Sequence, residues 1–448
     1  MNDITLKTRR EFLKSSLLGG AMAWTVPSFL ANTFSALHAE AGQSGTQIVT
    51  GKDSTILVIL QMAGGNDGLN TVVPFANDDY HRARKNIRLS EKEILKINDT
   101  LGFNSSLGGF KNLYDAGQLS VIQGIGYPNP NRSHFRSTEI WQTASDSQKF
   151  EKYGWLGRYF DNACAGADPT VGVNIGRQMP QAFAAKMPKG ISLDNPQNYR
   201  FLSGEKVKNG EVDASEQSYR QLNQMDHSMD PALDNNSGGS IGAVSGGSAK
   251  IHHNSPLDFL ERTALDAQVS SDKILAISRK VETKGNYPNS QLGASLKLVA
   301  RLIGGGLPTR VFYVSQGGYD THTNQAGSHD RLLRELGDSV KAFTDDLKEQ
   351  KNFQRVVVMT FSEFGRRVSE NANGGTDHGA AAPMFVIGQK LKAGLHGKYP
   401  SLASGDLVNG DLKYNVDFRS VYAGILESWL KTKSEPILGK KFEPLKLV

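Results

Sequence analysis

Five short apolar runs recur along the chain, and each has the length and the β-branched content of a buried strand. Between them, apolar residues recur at helical spacing. Strands that alternate with helices predict an α/β protein with a mainly parallel sheet. The predicted strands are Ser54–Met62, Leu119–Ile125, Thr309–Ser315, Arg355–Phe361 and Ala382–Gly388, and the predicted helices are Leu107–Ala116, Phe135–Ala144, Pro256–Val281, Gln291–Leu302, Arg331–Glu349 and Val421–Leu430.

Acidic, histidine and hydroxyl side chains cluster where these strands end. In open α/β sheets, ligands bind beyond the carboxyl ends of the strands, so the topology can bring such side chains to one edge. Each position also fits an ordinary alternative, such as a turn cap, a helix N-cap or a surface residue. The recurrence favours a shared site. Asp67, Ser133, the pair Asp320 and His322, and Glu363 follow strands, whereas His378 precedes one.

These residue types predict a metal site and an anionic ligand. Asp, Glu and neutral His suit one or two ions of zinc, manganese, iron or magnesium, and two such ions can stabilise both oxygens of a phosphoryl transfer. Ser133 lies where a helix is predicted to begin, and the partial positive charge there favours an ionised hydroxyl or a bound anion. Guanidinium groups bind phosphate or sulfate bidentately. Arg132, Arg136 and Arg366 are candidate clamps, although any one such arginine is more often a surface residue.

The first forty residues have the pattern of an export signal. Arg9 and Arg10 precede Phe-Leu-Lys and a weakly apolar stretch, as in a twin-arginine signal. We therefore predict a signal peptide over residues 1–41, removed from the mature chain, and a periplasmic or extracellular destination. No later segment holds 18 uninterrupted apolar residues, so the mature chain is predicted to lack a membrane span. A Gly/Ser/Asn-rich stretch near 204–254 predicts an insertion or flexible loop.

Composition narrows the function classes. The single cysteine, Cys164, excludes an internal disulfide framework and a multi-cysteine zinc site, and it fits a structural or incidental thiol. The 51 basic and 45 acidic residues of the 448-residue chain are interspersed, so the net charge of +6 is weak evidence for nucleic acid, and we expect no nucleic-acid partner.

Five motifs in a fixed order give the sequence a specific resemblance. Together they resemble the exported bacterial family of domain of unknown function 1501, over nearly the whole mature chain apart from the region near 204–254. That family is similar to the alkaline phosphatase and sulfatase superfamily. The motifs are GGNDGLN (64–70), YPNPNRSHFRS (127–137), GYDTHTNQ (318–325), SEFGR (362–366) and TDHG (376–379).

The resemblance implies one doubly wound domain, residues 42–448, with helices on both faces of the sheet and a metal site above it. By this resemblance Ser133 is the nucleophile. Asp67 and Glu363 would hold the ion that activates it. The other ion would be held by Asp320, His322 and His378.

Two departures from that pattern leave alternatives open. The spacing after Asp320 allows His322, Asn324 or His329 as its partner. Phe364 stands where the superfamily has a ligating histidine, so the second metal site is poorer or is completed by His134 or Asp377. No Cys/Ser-x-Pro-x-Arg signature surrounds Ser133 or Cys164, which argues against a formylglycine sulfatase.

The sequence therefore predicts an exported metal-dependent hydrolase or transferase acting on phosphate or sulfate esters. Its expected partners are a small anionic ester and the twin-arginine export machinery. The alternative is a non-catalytic binding or assembly protein on the same scaffold, with an exported protein partner.

Overall fold

A computed structural model describes residues 54–165, 167–186, 190–197 and 270–448. The predicted signal peptide, the polar stretch near 204–254 and the first part of the predicted helix Pro256–Val281 lie outside the described residues. The rest of that helix is helical over 270–280.

The central feature is a nine-stranded sheet with a long, fully buried middle strand. The sequence prediction of five strands is confirmed to within a few residues, and short strands extend the sheet at its edges. The observed strands are β1 Ile56–Met62, β2 Val72–Val73, β3 Ile94–Lys96, β4 Gly102–Asn104, β5 Leu119–Gly126, β6 Gly172–Ile175, β7 Ile191–Leu193, β8 Val311–Gln316, β9 Val356–Phe361, β10 Ala382–Gly388, β11 Gly394–His396 and β12 Val416–Asp417.

The strand order is β11-β5-β10-β9-β1-β8-β6-β7, with β12 also paired to β5, while β2, β4 and β3 form a separate small sheet. Strand β1 lies between β8 and β9 and is parallel to both, with Leu57 opposite Val311 and Val357. Strand β10 is antiparallel to β9 and β5. Because β10 runs the other way, the residues that precede it lie at the same edge as the carboxyl ends of its neighbours.

Helices cover both faces of this sheet. The residues of β1 alternate between two hydrophobic cores: Ile56, Val58 and Leu60 face one, and Leu57 and Ile59 face the other. The predicted doubly wound α/β fold with a mainly parallel sheet is therefore confirmed. The helices are α1 Asp78–Ala83, α2 Gly108–Asp115, α3 His134–Thr143, α4 Trp155–Ala163, α5 (270–280), α6 Gln291–Gly304, α7 Gln325–Glu349, α8 Phe418–Gly424, which continues as a π-helix over Ile425–Trp429, and α9 Glu435–Leu438.

Helix α7 begins six residues before the start that the sequence predicts. Its first turns are polar, so hydrophobic spacing does not reveal them. Tertiary hydrogen bonds hold them, because Gln325 contacts Asp67 and His329 contacts Asn66. Among the described residues, no helix combines the length and apolar content needed to cross a bilayer. Cys164 is buried in the second core, as the structural interpretation of this thiol expects.

Candidate metal centre

Glycine-rich loops bring the polar motifs together at the carboxyl edge of the sheet. Gly64 and Gly65 follow β1 and have φ values of +121° and +78°. A Cβ on Gly64 would lie 2.4 Å from the backbone nitrogen of Asp320, and one on Gly65 would lie 2.3 Å from the ring of Phe364. Only glycine allows this approach, because a side chain would be strained in φ and would collide with a neighbouring loop. The loops after β1, β8 and β9 therefore meet.

Three histidines converge on one carboxylate at this edge. The Nε2 atoms of His322 and His378 are 2.9 Å apart, and each lies 3.0 Å from Oδ1 of Asp320. The Nε2 atom of His134 lies 3.3 Å from Oδ2 of the same carboxylate. His134, Asp320 and His378 each offer a ligand atom, and these atoms all lie within 4.8 Å of one another. We call these four residues the histidine–aspartate centre.

The hydrogen-bond partners of the three Nδ1 atoms indicate where each histidine ring carries a hydrogen. Each Nδ1 contacts an oxygen that only accepts, so each Nδ1 carries a hydrogen and each ring presents its Nε2 to Asp320. Where these Nε2 atoms carry no hydrogen, their lone pairs and the carboxylate repel one another unless a cation lies among them. The Nδ1 atoms donate to Glu363 Oε1 from His134 at 2.9 Å, to Asp377 Oδ1 from His322 at 3.3 Å, and to the carbonyl of Arg132 from His378 at 2.8 Å.

This arrangement fits a divalent transition metal. A histidine ligand that donates its other N–H to a carboxylate or carbonyl is the usual second shell of such a site. Atoms that share one cation at about 2.1 Å lie roughly 3 to 3.5 Å apart, which matches the contacts around Asp320. The His134 Nε2 atom is buried without a hydrogen-bond partner among the described residues. The side chains of His134, His322 and His378 are 34%, 39% and 21% exposed, so a ligand from solvent can reach the centre.

Asp320 is anionic at neutral pH. Partial burial by itself would raise the pKa of Asp320, but the hydrogen bond and charge of Arg366, together with the contacts to His378 and His322, lower it to about 2. The negative charge at the middle of the histidine–aspartate centre therefore favours a cation there.

Glu363 lies behind this centre and contacts a histidine of it. Its Oε1 accepts hydrogen bonds from the backbone of Gly64 at 2.8 Å and from His134 at 2.9 Å. Its Oε2 is buried and has no hydrogen-bond partner among the described residues. The structure thus places Glu363, which the sequence proposes as a ligand, as the group that orients His134.

We expect Glu363→Gln to weaken binding of Zn²⁺ or Mn²⁺ by about 10- to 100-fold. The amide keeps the size of the side chain but removes the charge that holds the Nδ1 hydrogen of His134. A competition titration with a chromogenic chelator measures the loss, and Glu139→Gln on helix α3 is the matched control. Equal affinities for the two variants would contradict this role of Glu363.

Asp67 lies apart from the histidine–aspartate centre. Its side chain is fully buried, and its Oδ2 pairs with Arg84 at 2.6 Å and accepts a hydrogen bond from Gln325 at 2.5 Å. Its Oδ1 accepts from the backbone of Leu69 at 3.2 Å. Burial would raise the pKa of Asp67, but the charge and hydrogen bond of Arg84 hold it below its ordinary value. The structure therefore gives the predicted ligand Asp67 a different role, as a buried partner of Arg84.

Two of the three predicted anion clamps also turn out to be engaged elsewhere. The fully buried guanidinium of Arg366 donates to the carbonyls of Gly64, Gly65, Tyr319 and Thr376 and to Asp320, so it braces the loops and has no free face. Arg136 donates to the carbonyls of residues 146, 147 and 149 and stacks on Phe150. Guanidinium groups also satisfy backbone carbonyls, and a single motif cannot distinguish that use from the binding of an anion.

Arg132 stays at the rim of the site. Its carbonyl accepts the Nδ1–H of His378, and its guanidinium, 35% exposed, pairs with the buried carboxylate of Asp411. Arg367 lies on the other side of Asp411, 3.7 Å from Oδ1, and its backbone N–H donates to the carbonyl of Asp377. Sequence analysis missed both residues: Asp411 belongs to no polar cluster that follows a predicted strand, and Arg367 lies one residue beyond the SEFGR motif.

Ser133 and His134 open helix α3. Ser133 is the exposed N-cap residue, its hydroxyl makes no capping hydrogen bond, and its N–H donates to Asn131 Oδ1 at 2.8 Å. The next residue, His134, enters the histidine–aspartate centre, although the sequence offered it only as an alternative ligand. The ring of Phe364 packs against His134 and His378 at centroid distances of 4.9 and 4.5 Å. Phe364 thus holds the rings of two histidines in place.

The structure also separates the three alternatives for the partner of Asp320. His322 contacts it, whereas His329 is buried with its Nε2 atom 3.0 Å from Asn66 Oδ1. Asn324 has a left-handed backbone at the start of α7, and its N–H donates to the carbonyl of Asn373.

The fold and the site define an α/β protein with an open histidine–aspartate centre at the carboxyl edge of its sheet, a group compatible with a bound metal. The chain belongs to the DUF1501 family, since the sequence profile of that family, described as a protein of unknown function, matches residues 54–433. No curated protein sequence matches the chain.

Several solved structures resemble the chain at low identity. A protein in the alkaline phosphatase superfamily from Vibrio parahaemolyticus is 8% identical, with a TM-score of 0.34, over 92% of this chain and 77% of that one. Ps i-CgsB, in complex with k-i-k-neocarrahexaose, is 9% identical, with a TM-score of 0.35, over 87% and 73%. The PsFucS1 sulfatase from Pseudoalteromonas sp. is 10% identical, with a TM-score of 0.31, over 87% and 75%.

Proposed function

We propose that this protein is a metal-dependent hydrolase or transferase that acts on phosphate or sulfate esters. The observation that supports this most is the convergence of three histidine Nε2 atoms on Asp320, each ring with its Nδ1 atom already engaged. Such a donor set suits zinc, manganese or iron better than magnesium or calcium, which prefer oxygen ligands. When bound there, a divalent cation would act as a Lewis acid towards an ester oxygen.

The rim of the site supports an anionic substrate. Arg132 and Arg367 contact the segment that carries His378, and both side chains are partly exposed, at 35% and 38%. Asp411 lies between them and is buried, so it holds both arginines at the rim while their outer N–H groups stay available. Planar N–H donors match the oxygens of a phosphate or sulfate group.

Ser133 is the nucleophile in this proposal. Attack by its Oγ forms a bond to phosphorus or sulfur and breaks the bond from that atom to the ester oxygen. The hydroxyl proton passes to solvent water, and the departing oxygen takes a proton from solvent. Water, in a hydrolase, or a second alcohol, in a transferase, then displaces the serine. The exposed position of Ser133 beside His134 supports this role.

The experiment is a metal analysis of the purified chain, followed by a screen of aryl phosphate monoesters, diesters and sulfates. We expect turnover that depends on the cation and falls at least about 1,000-fold in Ser133→Ala. Ser401→Ala, an exposed serine elsewhere, should keep full activity. A chain that binds no transition metal, or whose turnover is unchanged in Ser133→Ala, would overturn the proposal.

We also infer that the protein works outside the cytoplasm. The support is the Arg9-Arg10 signal pattern, and the twin-arginine pathway exports folded proteins, which allows a cation to be bound before export. Fractionation of cells with and without that pathway tests the inference. Recovery of the chain in the cytoplasm of both strains would contradict it.

A non-catalytic binding protein is the second candidate. The observation that favours it is Phe135, which directly follows His134 and is 92% exposed. An exported partner protein that contacts this ring would be released by Phe135→Ser and retained by Ser133→Ala. Metal-dependent ester turnover with no such partner would decide against this candidate.

A further inference from the structure

We propose that the histidine–aspartate centre holds one divalent cation per chain, and that Arg84 takes the place of a second cation at Asp67. The proposal rests on the function proposed above, since it concerns the same centre. It differs from the sequence expectation, in which Asp67 and Glu363 hold an ion of their own.

Three of the roughly four lone-pair positions of the Asp67 carboxylate are occupied by hydrogen bonds, and none of its surface is open to solvent. Both Asp67 and Arg84 side chains have no exposed surface. The partners of Oδ2 are Arg84 and Gln325, and the partner of Oδ1 is the N–H of Leu69. Gln325 is the first residue of the 25-residue helix α7, whose N-terminal end also favours a negative charge. A cation at Asp67 would have to displace an ion pair from a dry interior.

Arg84 is fixed in this position by hydrogen bonds to three acceptors besides Asp67. Its Nε donates to the carbonyl of Val368 at 2.9 Å, its Nη1 also donates to Asn70 Oδ1 at 2.9 Å, and its Nη2 donates to the carbonyl of Arg367 at 2.9 Å. The guanidinium therefore cannot swing away to admit an ion. The positive charge of Arg84 already neutralises the charge of Asp67, so this carboxylate does not attract a metal ion as an unpaired one would.

Gln325 connects Asp67 to the loops that carry the histidine–aspartate centre, and both ends of its amide are engaged in hydrogen bonds. Gln325 donates to Asp67 and accepts from the hydroxyls of Thr376, at 2.6 Å, and Thr321, at 3.2 Å. Thr376 and Thr321 lie on the segments that carry His378 and His322. Hydrogen bonds between protein side chains therefore connect Asp67 to the segments that carry His322 and His378, with no cation needed between them.

Glu363 cannot hold a second ion without Asp67. Its Oε1 is taken by Gly64 and His134, which leaves the buried Oε2 as its one oxygen without a partner among the described residues. The next residue is Phe364, which has no ligand atom. A divalent cation takes at least three protein ligands in a typical catalytic site, so one carboxylate oxygen is not sufficient.

A single cation has a consequence for the substrate. The positive charge of Arg84 is buried and cannot contact an ester, so one cation and the rim arginines Arg132 and Arg367 must bind all of the anionic oxygens.

The test is the number of ions per chain. The full chain is saturated with Zn²⁺ or Mn²⁺, desalted and analysed by inductively coupled plasma mass spectrometry, and the Mn²⁺ form is examined by electron paramagnetic resonance. We expect one equivalent, an isolated Mn²⁺ spectrum, retention of that equivalent in Asp67→Asn and its loss in Asp320→Asn. Circular dichroism confirms that each variant is folded.

Two equivalents with a spin-coupled Mn²⁺ spectrum would overturn the single-ion proposal and leave the proposed function standing. Loss of the ion from a folded Asp67→Asn would overturn it as well. If Asp67→Asn does not fold, the spectrum of the unmodified chain decides alone. No bound ion at all would reject the proposed function and this proposal with it.

Discussion

Replacing His378 with alanine should reduce the affinity of the chain for Zn²⁺ or Mn²⁺ by more than about 100-fold. Its Nε2 lies 2.9 Å from that of His322 and 3.0 Å from Asp320, so it is central among the ligand atoms. Loss of an outer hydrogen bond alone costs about 10- to 100-fold in such sites, and here the ligand itself is removed. Isothermal titration calorimetry of the metal-free chain measures the change.

The matched control is His396→Ala. His396 lies on the short strand β11 and its Nε2 contacts the carbonyl of Lys392, away from the centre. We expect this variant to bind the metal with unchanged affinity. Equal binding by His378→Ala and His396→Ala would show that the histidine–aspartate centre does not hold the ion.

Replacing Arg84 with methionine should lower the free energy of unfolding by about 3 to 5 kcal/mol, because it leaves the buried carboxylate of Asp67 without its counterion. Asp67 and Arg84 are both inaccessible to solvent, and their contact is 2.6 Å. Urea unfolding followed by circular dichroism measures the loss. The double variant Asp67→Asn/Arg84→Met should recover much of the stability, since no unpaired charge remains.

Arg82→Ala provides the control for this effect. It breaks the exposed ion pair of Arg82 with Asp79, whose side chains are 68% and 35% exposed, and solvent screens such a pair. Its unfolding curve should overlay that of the unmodified chain. A loss in Arg84→Met no larger than in Arg82→Ala would contradict the importance of the buried pair.

The effect of Arg84 also has a defined pH dependence. The pKa of Asp67 lies below its ordinary value of 3.8 in the folded protein: burial opposes ionisation, but Arg84 outweighs it. The contribution of Asp67 to stability is therefore fully present above that ordinary value and is lost as the pH falls through the lower folded pKa. The difference in unfolding free energy between the unmodified chain and Arg84→Met should therefore become smaller as the pH falls.

Much of the fold was predictable because the strands carry a strong local signal. The middle strand β1 is buried along all seven residues, so it is apolar throughout, and the glycine-rich loop that follows it marks its end. Asp320 and His322 were predictable for the same reason, since they follow β8 directly. The start of α7 was not predictable, because its first turn is held by contacts between distant residues such as Gln325 and Asp67.

The sequence by itself determined the strands, their connection by helices and the positions of the polar loops, because these depend on the local spacing of apolar residues. The tertiary structure decided which polar side chains meet. An acid after a strand has the same local pattern whether it binds a metal or an arginine, and Arg84, from the loop after α1, made Asp67 a buried partner. Antiparallel β10 brought His378 to the site, and helix α3 brought His134 there.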